Sequence, residues 1–197
     1  MLGLIQTRRS IRRYTEQSVS QAVLERVLEA ARWAPSAHNR QPWRLALLET
    51  LPAKQAVAQA MAARLRADRL ADGDPPESVE QDAARSQRRI TQAPVVIVLC
   101  LTLAEMDIYP DERRRAAERL MAVQSVAMAA QNMLLAAHAE GLGACWMCAP
   151  LFCPEAVSIA LRLPTGWEPQ ALVTLGYPAN NGKPASRKSL SEICLTR

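Results

Sequence analysis

Three guanidinium groups and one hydroxyl stand close together near the start of the chain, in the run Arg8-Arg9-Ser10-Ile11-Arg12. Guanidinium groups form paired hydrogen bonds with phosphate oxygens and with planar carbonyl edges. The run is therefore a candidate site for a phosphate-bearing ligand. The simpler alternative is a solvated basic segment, or one that touches nucleic acid, and the run on its own favours that interpretation.

A second candidate site is the loop 34–43, which reads Ala-Pro-Ser-Ala-His-Asn-Arg-Gln-Pro-Trp. Pro35 and Pro42 restrict its backbone, and between them the loop presents serine, histidine, asparagine and glutamine side chains. A rigid polar loop between a helix and a strand is a good platform for a ligand. An ordinary turn with capping side chains explains the same residues about equally well.

Two further segments are weaker candidates on their own. Gly141 and Gly143 stand at a predicted junction between a helix and a strand, where glycine allows close approach of the backbone to a ligand or simply ends the helix. The basic run 183–188, Lys-Pro-Ala-Ser-Arg-Lys, either closes over an anion or is a flexible tail.

Hydrophobic periodicity and breakers place these segments on a series of helices and strands. Ser20 is a suitable cap for a helix that ends at Trp33, before Pro35. The continuous apolar run 95–101 is typical of a strand buried on both faces. The remaining patterns predict strands at 43–48, 142–147 and 171–176, helices at 54–70, 79–91, 111–140 and 154–161, and a loop-like tail at 177–197.

The resulting architecture is α+β, with a central sheet, flanking helices and one long apolar helix. That helix is apolar on too many sides for a surface helix, so we expect its own sheet to cover one face and a second subunit the other. The cluster 72–76, Asp-Gly-Asp-Pro-Pro, marks the tip of an excursion over about 66–92, which we expect to be mobile and close to the active site.

Composition limits the class of protein. The chain has 197 residues, 49% hydrophobic and 22% charged, which suits a single domain over 1–197. An odd number of cysteines, five, and the lack of a leader pattern predict a cytoplasmic setting. Four polar side chains argue against a membrane span in the apolar run 120–139, namely Gln124, Gln131, Asn132 and His138.

Taken in order, these segments resemble the nitroreductase family of FMN-dependent flavoproteins. The resemblance lies in RRSIR, APSAHNRQPW, GLGACW after the long helix, LPTGWEPQALVTLGYPA and KPASRKSL, and it covers nearly the whole chain. Within the family, the segments 109–114 and 167–169 are most similar to a subgroup that includes the flavin domain of deazaflavin-coenzyme biosynthesis proteins. The resemblance implies a nitroreductase-like fold, an intertwined homodimer and FMN at the subunit interface.

The resemblance also assigns roles to residues. Arg8, Arg9 and Ser10 would hold the FMN phosphate and ribityl chain together with Arg187, and Arg12 would face the pyrimidine edge of the flavin. The backbone at Gly143, with Trp146 nearby, would approach the central flavin ring. The partner subunit would line the flavin with Pro35, Ser36, Ala37 and Asn39, although Ala37-His38 departs from the usual small polar pair of this loop.

The chemistry implied by the resemblance is electron transfer from NADH or NADPH, through flavin N5, to a nitroaromatic, a quinone or a similar small acceptor by a ping-pong scheme. No catalytic acid or base is then required. The alternatives are a reductase that acts with a deazaflavin coenzyme or its precursor, and, in another class, a basic nucleic-acid-binding module, which no recognition motif supports.

Other motifs are better explained by packing. Cys145-x-x-Cys148 with Cys153 lacks a conventionally spaced fourth ligand, and His38 and His138 are too few for a histidine-based zinc site, so we predict no metal. The four tryptophans, at positions 33, 43, 146 and 167, are expected in the core.

Overall fold

A four-stranded antiparallel sheet forms the centre of the molecule, in the order β1-β2-β4-β3. The computed structural model describes all residues from 1 to 197. The strands are β1 (Trp43–Leu48), β2 (Val95–Leu101), β3 (Gly143–Met147) and β4 (Glu168–Gly176). Seven helices surround the sheet: α1 (Leu2–Thr7), α2 (Gln21–Arg32), α3 (Leu51–Ala71), α4 (Pro76–Thr91), α5 (Glu112–Ala139), α6 (Pro154–Leu161) and α7 (Leu190–Ile193).

Strand β2 is buried along its whole length, as its continuous apolar sequence predicted. Because side chains alternate between the two faces of a strand, its residues divide between two cores. Ile97 and Leu99 belong to the core that α2 and α5 cover, whereas Val96 and Val98 belong to the core that α3 and α6 cover. The predicted α+β architecture, a sheet flanked by helices around one long helix, is confirmed.

The long helix α5 begins at a cap, since the Asp111 side chain accepts a hydrogen bond from the Arg114 backbone N–H at 2.9 Å. It ends before Gly141, whose φ of +75° is a conformation that glycine adopts readily. By length and apolar composition α5 alone would pass for a membrane span. Nine of its residues are buried in the protein, however, which is the pattern of a core helix.

One face of α5 is mostly apolar and is uncovered in the single chain. Leu120 is 57% exposed and Met128 is 38% exposed. Ala116, Leu120 and Ala127 recur at helical spacing along this face, with the exposed Gln124 between the last two. The helix is therefore half covered, as its sequence predicted, and the single chain leaves the other half open.

The segment 66–92 consists of helix rather than irregular chain. It comprises the end of α3, a short turn and α4, and it is built into the body of the protein through the buried Val79, Ala83 and Ile90 of α4. Arg69 joins the two helices because its guanidinium bonds Asp74 and Asp82, each at 2.5 Å. The expected mobility of this segment stays a prediction.

The structure corrects the sequence-based assignment at a few points. The first residues form α1, and the tail contains the four-residue helix α7, neither of which has a hydrophobic periodicity to reveal it. Helices α3 and α4 begin earlier than predicted, because prolines occupy their first turns. Trp33 was expected in the core but is 75% exposed, and its indole N–H donates to Glu29.

Candidate functional site

The N-terminal arginine segment lies along the outer edge of β3. The Ile11 backbone N–H donates to the Ala144 carbonyl at 3.0 Å, and Ser10 bridges to Ala144 in parallel. Tyr14 fixes the end of the segment, since its hydroxyl donates to the Ile11 carbonyl at 2.6 Å and lies 2.7 Å from Thr174 Oγ1. Burial raises the pKa of this phenol well above its ordinary value. The sheet thus holds the arginines at a fixed position.

Gly143 explains how the segment can approach the sheet so closely. A Cβ on Gly143 would lie 2.7 Å from the Ile11 side chain, closer than two carbon atoms can pack. The close approach predicted for Gly143 therefore exists in the single chain, but it is made to Ile11 rather than to a ligand. Contact between this backbone and a cofactor stays a prediction.

The arginines of this segment open into a groove of about 720 Å³ that the C-terminal tail completes. The groove brings together five predicted site residues that lie far apart in sequence: Arg8, Arg9, Ser10, Arg12 and Arg187. Arg13 and Lys183 also line it, and no carboxylate does. Six cationic side chains thus face one concave space, which favours an anionic ligand.

None of these six cations forms an ion pair within the chain. Eleven arginines elsewhere do pair with carboxylates: Arg26, Arg32, Arg40, Arg44, Arg64, Arg66, Arg69, Arg85, Arg114, Arg115 and Arg119. Within the groove, Arg9 donates only to the backbone carbonyls of Gln6 and Arg8, at 2.6 and 2.9 Å. The groove therefore leaves its positive charge uncompensated.

Helix α4 adds one more cation that the sequence did not single out. Burial and the charges of Arg12 and Arg85 lower the pKa of Arg89. Burial raises the pKa of the nearby Cys145 thiol, and Arg12 and Arg89 oppose that rise. The charges of Arg89 and Arg12 thus influence each other, and both act on Cys145 of β3. No pattern in α4 distinguishes it from the other arginines of that helix.

The second predicted group, Pro35, Ser36, Ala37 and Asn39, forms a tight turn that packs on α5. The Ala37 backbone N–H donates to Ser125 Oγ at 3.3 Å, and the Gln41 N–H donates to Ser36 Oγ at 3.0 Å. His38, Asn39 and Gln41 all have φ near +50°, which is unusual for residues other than glycine. The exposed Asn39 side chain makes no hydrogen bond, so it is free to bind a ligand.

A single chain does not bring the two groups together. The turn contacts α5 at Ser125, whereas Thr7, next to the arginines, lies 2.9 Å from His138 Nε2 near the other end of the helix. At a rise of 1.5 Å per residue these two positions are about 20 Å apart along the axis. The single chain therefore holds the two groups at separate positions along α5.

Trp146 is not among the residues that line the groove. Its ring packs against the core that α2 and α5 cover, and its indole N–H donates to Cys148 Sγ at 2.7 Å. The single chain thus gives Trp146 a packing role, and its contact with the cofactor stays a prediction. All five cysteines are free thiols.

Comparison with known proteins gives the arrangement a context. The sequence matches the Nitroreductase family over residues 5–177. It is 34% identical to an NADH dehydrogenase of Thermus thermophilus, over 96% of this chain and 92% of that protein.

Solved structures agree with the sequence match. A protein of Desulfovibrio desulfuricans, described as a nitroreductase in complex with FMN, superposes with a TM-score of 0.75 at 31% identity, over 100% of this chain and 95% of that one. A BluB-like flavoprotein of Clostridium difficile shares the fold with a TM-score of 0.81, at 22% identity over 100% and 98% of the two chains. From the length of the match and the level of identity, we conclude that the chain belongs to the nitroreductase family.

Proposed function

We propose that the protein is an FMN-dependent oxidoreductase that transfers electrons from NADH or NADPH to a small acceptor. The observation that carries the proposal is the groove in which Arg8, Arg9, Arg12 and Arg187 converge without a carboxylate. Two relatives support the proposal, since one is an NADH dehydrogenase and another is described as a nitroreductase in complex with FMN.

The groove suits the phosphate end of FMN in charge and in shape. Guanidinium groups of Arg9 and Arg187 can bind phosphate oxygens in pairs, and the Ser10 hydroxyl can add a further hydrogen bond. Gly182 allows the tail to close on the segment, because a Cβ there would lie 2.9 Å from the Arg9 Cβ. The positive φ of Gly182, +70°, is a second reason for glycine at this position.

Arg12 and Arg89 would serve the other end of the cofactor. FMN supplies the redox chemistry when bound, taking a hydride from the nicotinamide and passing electrons to the acceptor. A guanidinium beside the pyrimidine edge stabilises negative charge at that edge, so Arg12 would favour the reduced cofactor. Arg89, whose charge acts on Arg12, would strengthen this effect. Neither residue needs to transfer a proton.

We propose that two chains complete the site. The uncovered face of α5, with Leu120 and Met128, gives a second subunit an apolar surface to bury. The tail 183–197 is exposed throughout and carries apolar side chains at Leu190, Ile193 and Leu195, which is the form expected of an arm that packs on a partner. In such a dimer the turn 35–39 of one chain would face the groove of the other.

Steady-state kinetics test the proposed reaction. Purified protein reconstituted with FMN should oxidise NADH or NADPH in the presence of a quinone or a nitroaromatic compound, and double-reciprocal plots at several acceptor concentrations should be parallel, as a ping-pong scheme requires. A deazaflavin coenzyme in the acceptor panel decides whether the subgroup resemblance extends to substrate. Intersecting lines would contradict the ping-pong scheme, and protein that neither binds FMN nor oxidises either nicotinamide would contradict the function.

A further inference from the structure

Glu118 is a carboxylate without a partner in the interior of the protein. It is 4% exposed, and its Oε2 atom has no hydrogen-bond partner. A buried carboxylate that is neither paired nor hydrogen-bonded is costly in free energy. Its neighbours on the same face of α5 are small, namely Ala122 and Ser125. The position thus favours a cation beside the carboxylate.

Two further ligand atoms converge on this carboxylate from separate segments. A ring nitrogen of His38, in the turn before β1, and a carboxylate oxygen of Asp107, in the loop after β2, lie within 4.8 Å of each other and of a Glu118 oxygen. The three residues are far apart in sequence, which is why no ligand spacing revealed them. His38 has an uncommon backbone conformation, with φ of 51°.

Arg40 holds Asp107 in place and still leaves one Asp107 oxygen free to bind a cation. One guanidinium nitrogen of Arg40 lies 2.5 Å from Asp107 Oδ1, which leaves the second oxygen free. The Asp107 side chain is 34% exposed, so the cluster opens to solvent on that side while Glu118 closes it on the other. A cation could therefore enter from solvent, and a water molecule could complete its coordination.

We propose that His38, Asp107 and Glu118 form a binding site for a divalent transition-metal ion of the zinc class. One imidazole nitrogen and two carboxylate oxygens are a ligand set that Zn²⁺ accepts, whereas Mg²⁺ and Ca²⁺ prefer oxygen ligands alone. Tetrahedral coordination at about 2.1 Å places ligands about 3.4 Å apart, so the cluster must contract slightly on binding. Two carboxylates offset the charge of the ion, and Arg40, which keeps its own contact with Asp107, leaves the cluster with one net positive charge.

Such an ion would fasten the turn 37–39 to α5 and to the loop after β2. In the dimer of the proposed function, that turn lines the flavin of the other subunit, so metal binding would order one wall of the active site. This consequence rests on the proposed function. The metal site itself rests only on the positions of the three ligands and on the unpaired Glu118 carboxylate.

Cobalt titration of the chelator-treated full-length protein tests the site, because the visible absorption of bound Co²⁺ reports the type of ligand. We expect one Co²⁺ per chain, without a thiolate charge-transfer band, and displacement by Zn²⁺. Glu118→Gln and His38→Asn should each weaken binding at least tenfold. Asparagine is chosen at position 38 because it tolerates a positive φ. Glu77→Gln, an exposed residue outside the cluster, is the matched control and should bind like the wild type.

Two further measurements distinguish a loss of metal binding from misfolding of the variant and from a loss of flavin binding. Glu118→Gln removes an unpaired buried charge, so the metal-free variant should unfold at a temperature no lower than that of the metal-free wild type. FMN binding, measured on the same samples, reports on the proposed function independently. The proposal would be overturned if the wild type bound no cobalt, or if both variants bound cobalt as tightly as the wild type. Binding that appears only with the thiolate band of exposed Cys148 or Cys194 would also overturn it.

Discussion

The arginines of the groove differ from most of the others in having no carboxylate partner. Eleven arginines outside the groove have one, as Arg26 does with both oxygens of Glu140 at 2.8 and 2.7 Å. Those of the groove reach none. Composition alone, with its net charge of +5, does not reveal this difference, because it counts both kinds alike. The separation in space is what makes the groove a candidate anion site.

Tyr14 is the residue that ties the arginine segment to the sheet, and its removal tests that role. Tyr14→Phe should lower the free energy of unfolding by about 1–2 kcal/mol, because the buried Thr174 hydroxyl and the Ile11 carbonyl lose a partner. Urea denaturation measures the change. Tyr109→Phe is the control, since the Tyr109 hydroxyl makes no hydrogen bond, and a loss as large in that variant would contradict the role of Tyr14.

The buried Cys100 thiol should make the free energy of unfolding depend on pH. Burial raises the pKa of its thiol to about 12, whereas an unfolded cysteine titrates near 8.5. The unfolded state therefore loses its proton first, so this contribution to stability is present below pH 8.5 and is lost as the pH rises toward 12. Between pH 8 and 10 the wild type should lose roughly 2 kcal/mol more than Cys100→Ala. Parallel pH profiles for the two proteins would show that Cys100 does not titrate in this way.

Residue types and order singled out five of the residues that line the groove, but not their surroundings. Arg8, Arg9, Ser10 and Arg12 are recognisable because they fall within five consecutive residues. Arg187 is recognisable because its tail motif, KPASRKSL, follows the other motifs in the order expected of the family. Arg89 and Glu118 belong to helices in which charge is common, so only the tertiary structure shows that they face inward. Burial of a single charged side chain has no local signal in the sequence.

At the scale of elements, β1, β2 and α6 have the predicted bounds. Apolar runs bounded by breakers are unambiguous over six or seven residues, which explains the agreement for the two strands. Strand β4 and helix α3 each begin three residues earlier than predicted. The short α1 and α7 were missed because neither buries a residue, and burial is what produces a periodic pattern.

Lys54 shows how two elements are joined by one buried charge. Its ammonium group, on α3, donates to the carbonyls of Ala93 and Pro94 just beyond α4, at 2.9 and 3.0 Å. Burial lowers its pKa, and Glu49 opposes the shift. The contact satisfies carbonyl groups that would otherwise be left unpaired at the end of α4.

Replacing this ammonium group should loosen the α3–α4 pair. Lys54→Met keeps most of the apolar stem but leaves the two carbonyls without a donor, so we expect a loss of about 1–3 kcal/mol in the free energy of unfolding. Hydrogen exchange should show the loss first in α4. Gln55→Met, at an exposed position on the same helix, is the control, and unchanged protection of α4 in Lys54→Met would contradict the role of the contact.

At the scale of the whole molecule, the single chain holds its two groups of predicted site residues apart. The turn 35–39 contacts α5 at Ser125, and Thr7, beside the arginine segment, contacts it at His138, about 20 Å further along the helix axis. The sequence anticipated a second subunit from the apolar excess of α5, and the exposed Leu120 agrees with that inference. How two chains meet depends on surfaces from distant segments, which no local pattern encodes.

Light scattering tests the proposed dimer. The wild-type protein should have the mass of two chains, and Leu120→Glu should shift it toward one chain and weaken FMN binding, because burying an unpaired carboxylate at an interface is costly. Gln55→Glu, exposed on α3, is the control and should stay dimeric. A monomeric wild type that still binds FMN would contradict the composite site.

The central claim is that the arginine groove binds FMN through its phosphate, and comparison of FMN with riboflavin tests it most directly, since riboflavin lacks only the phosphate. Flavin fluorescence titration should show at least about 100-fold tighter binding of FMN by the wild type, a difference of about 2.7 kcal/mol. In Arg9→Ala/Arg187→Ala that preference should fall below tenfold, whereas Arg113→Ala, an exposed and unpaired arginine on α5, should retain it. Equal affinity of the wild type for the two flavins, or an unchanged preference in the double variant, would contradict the account.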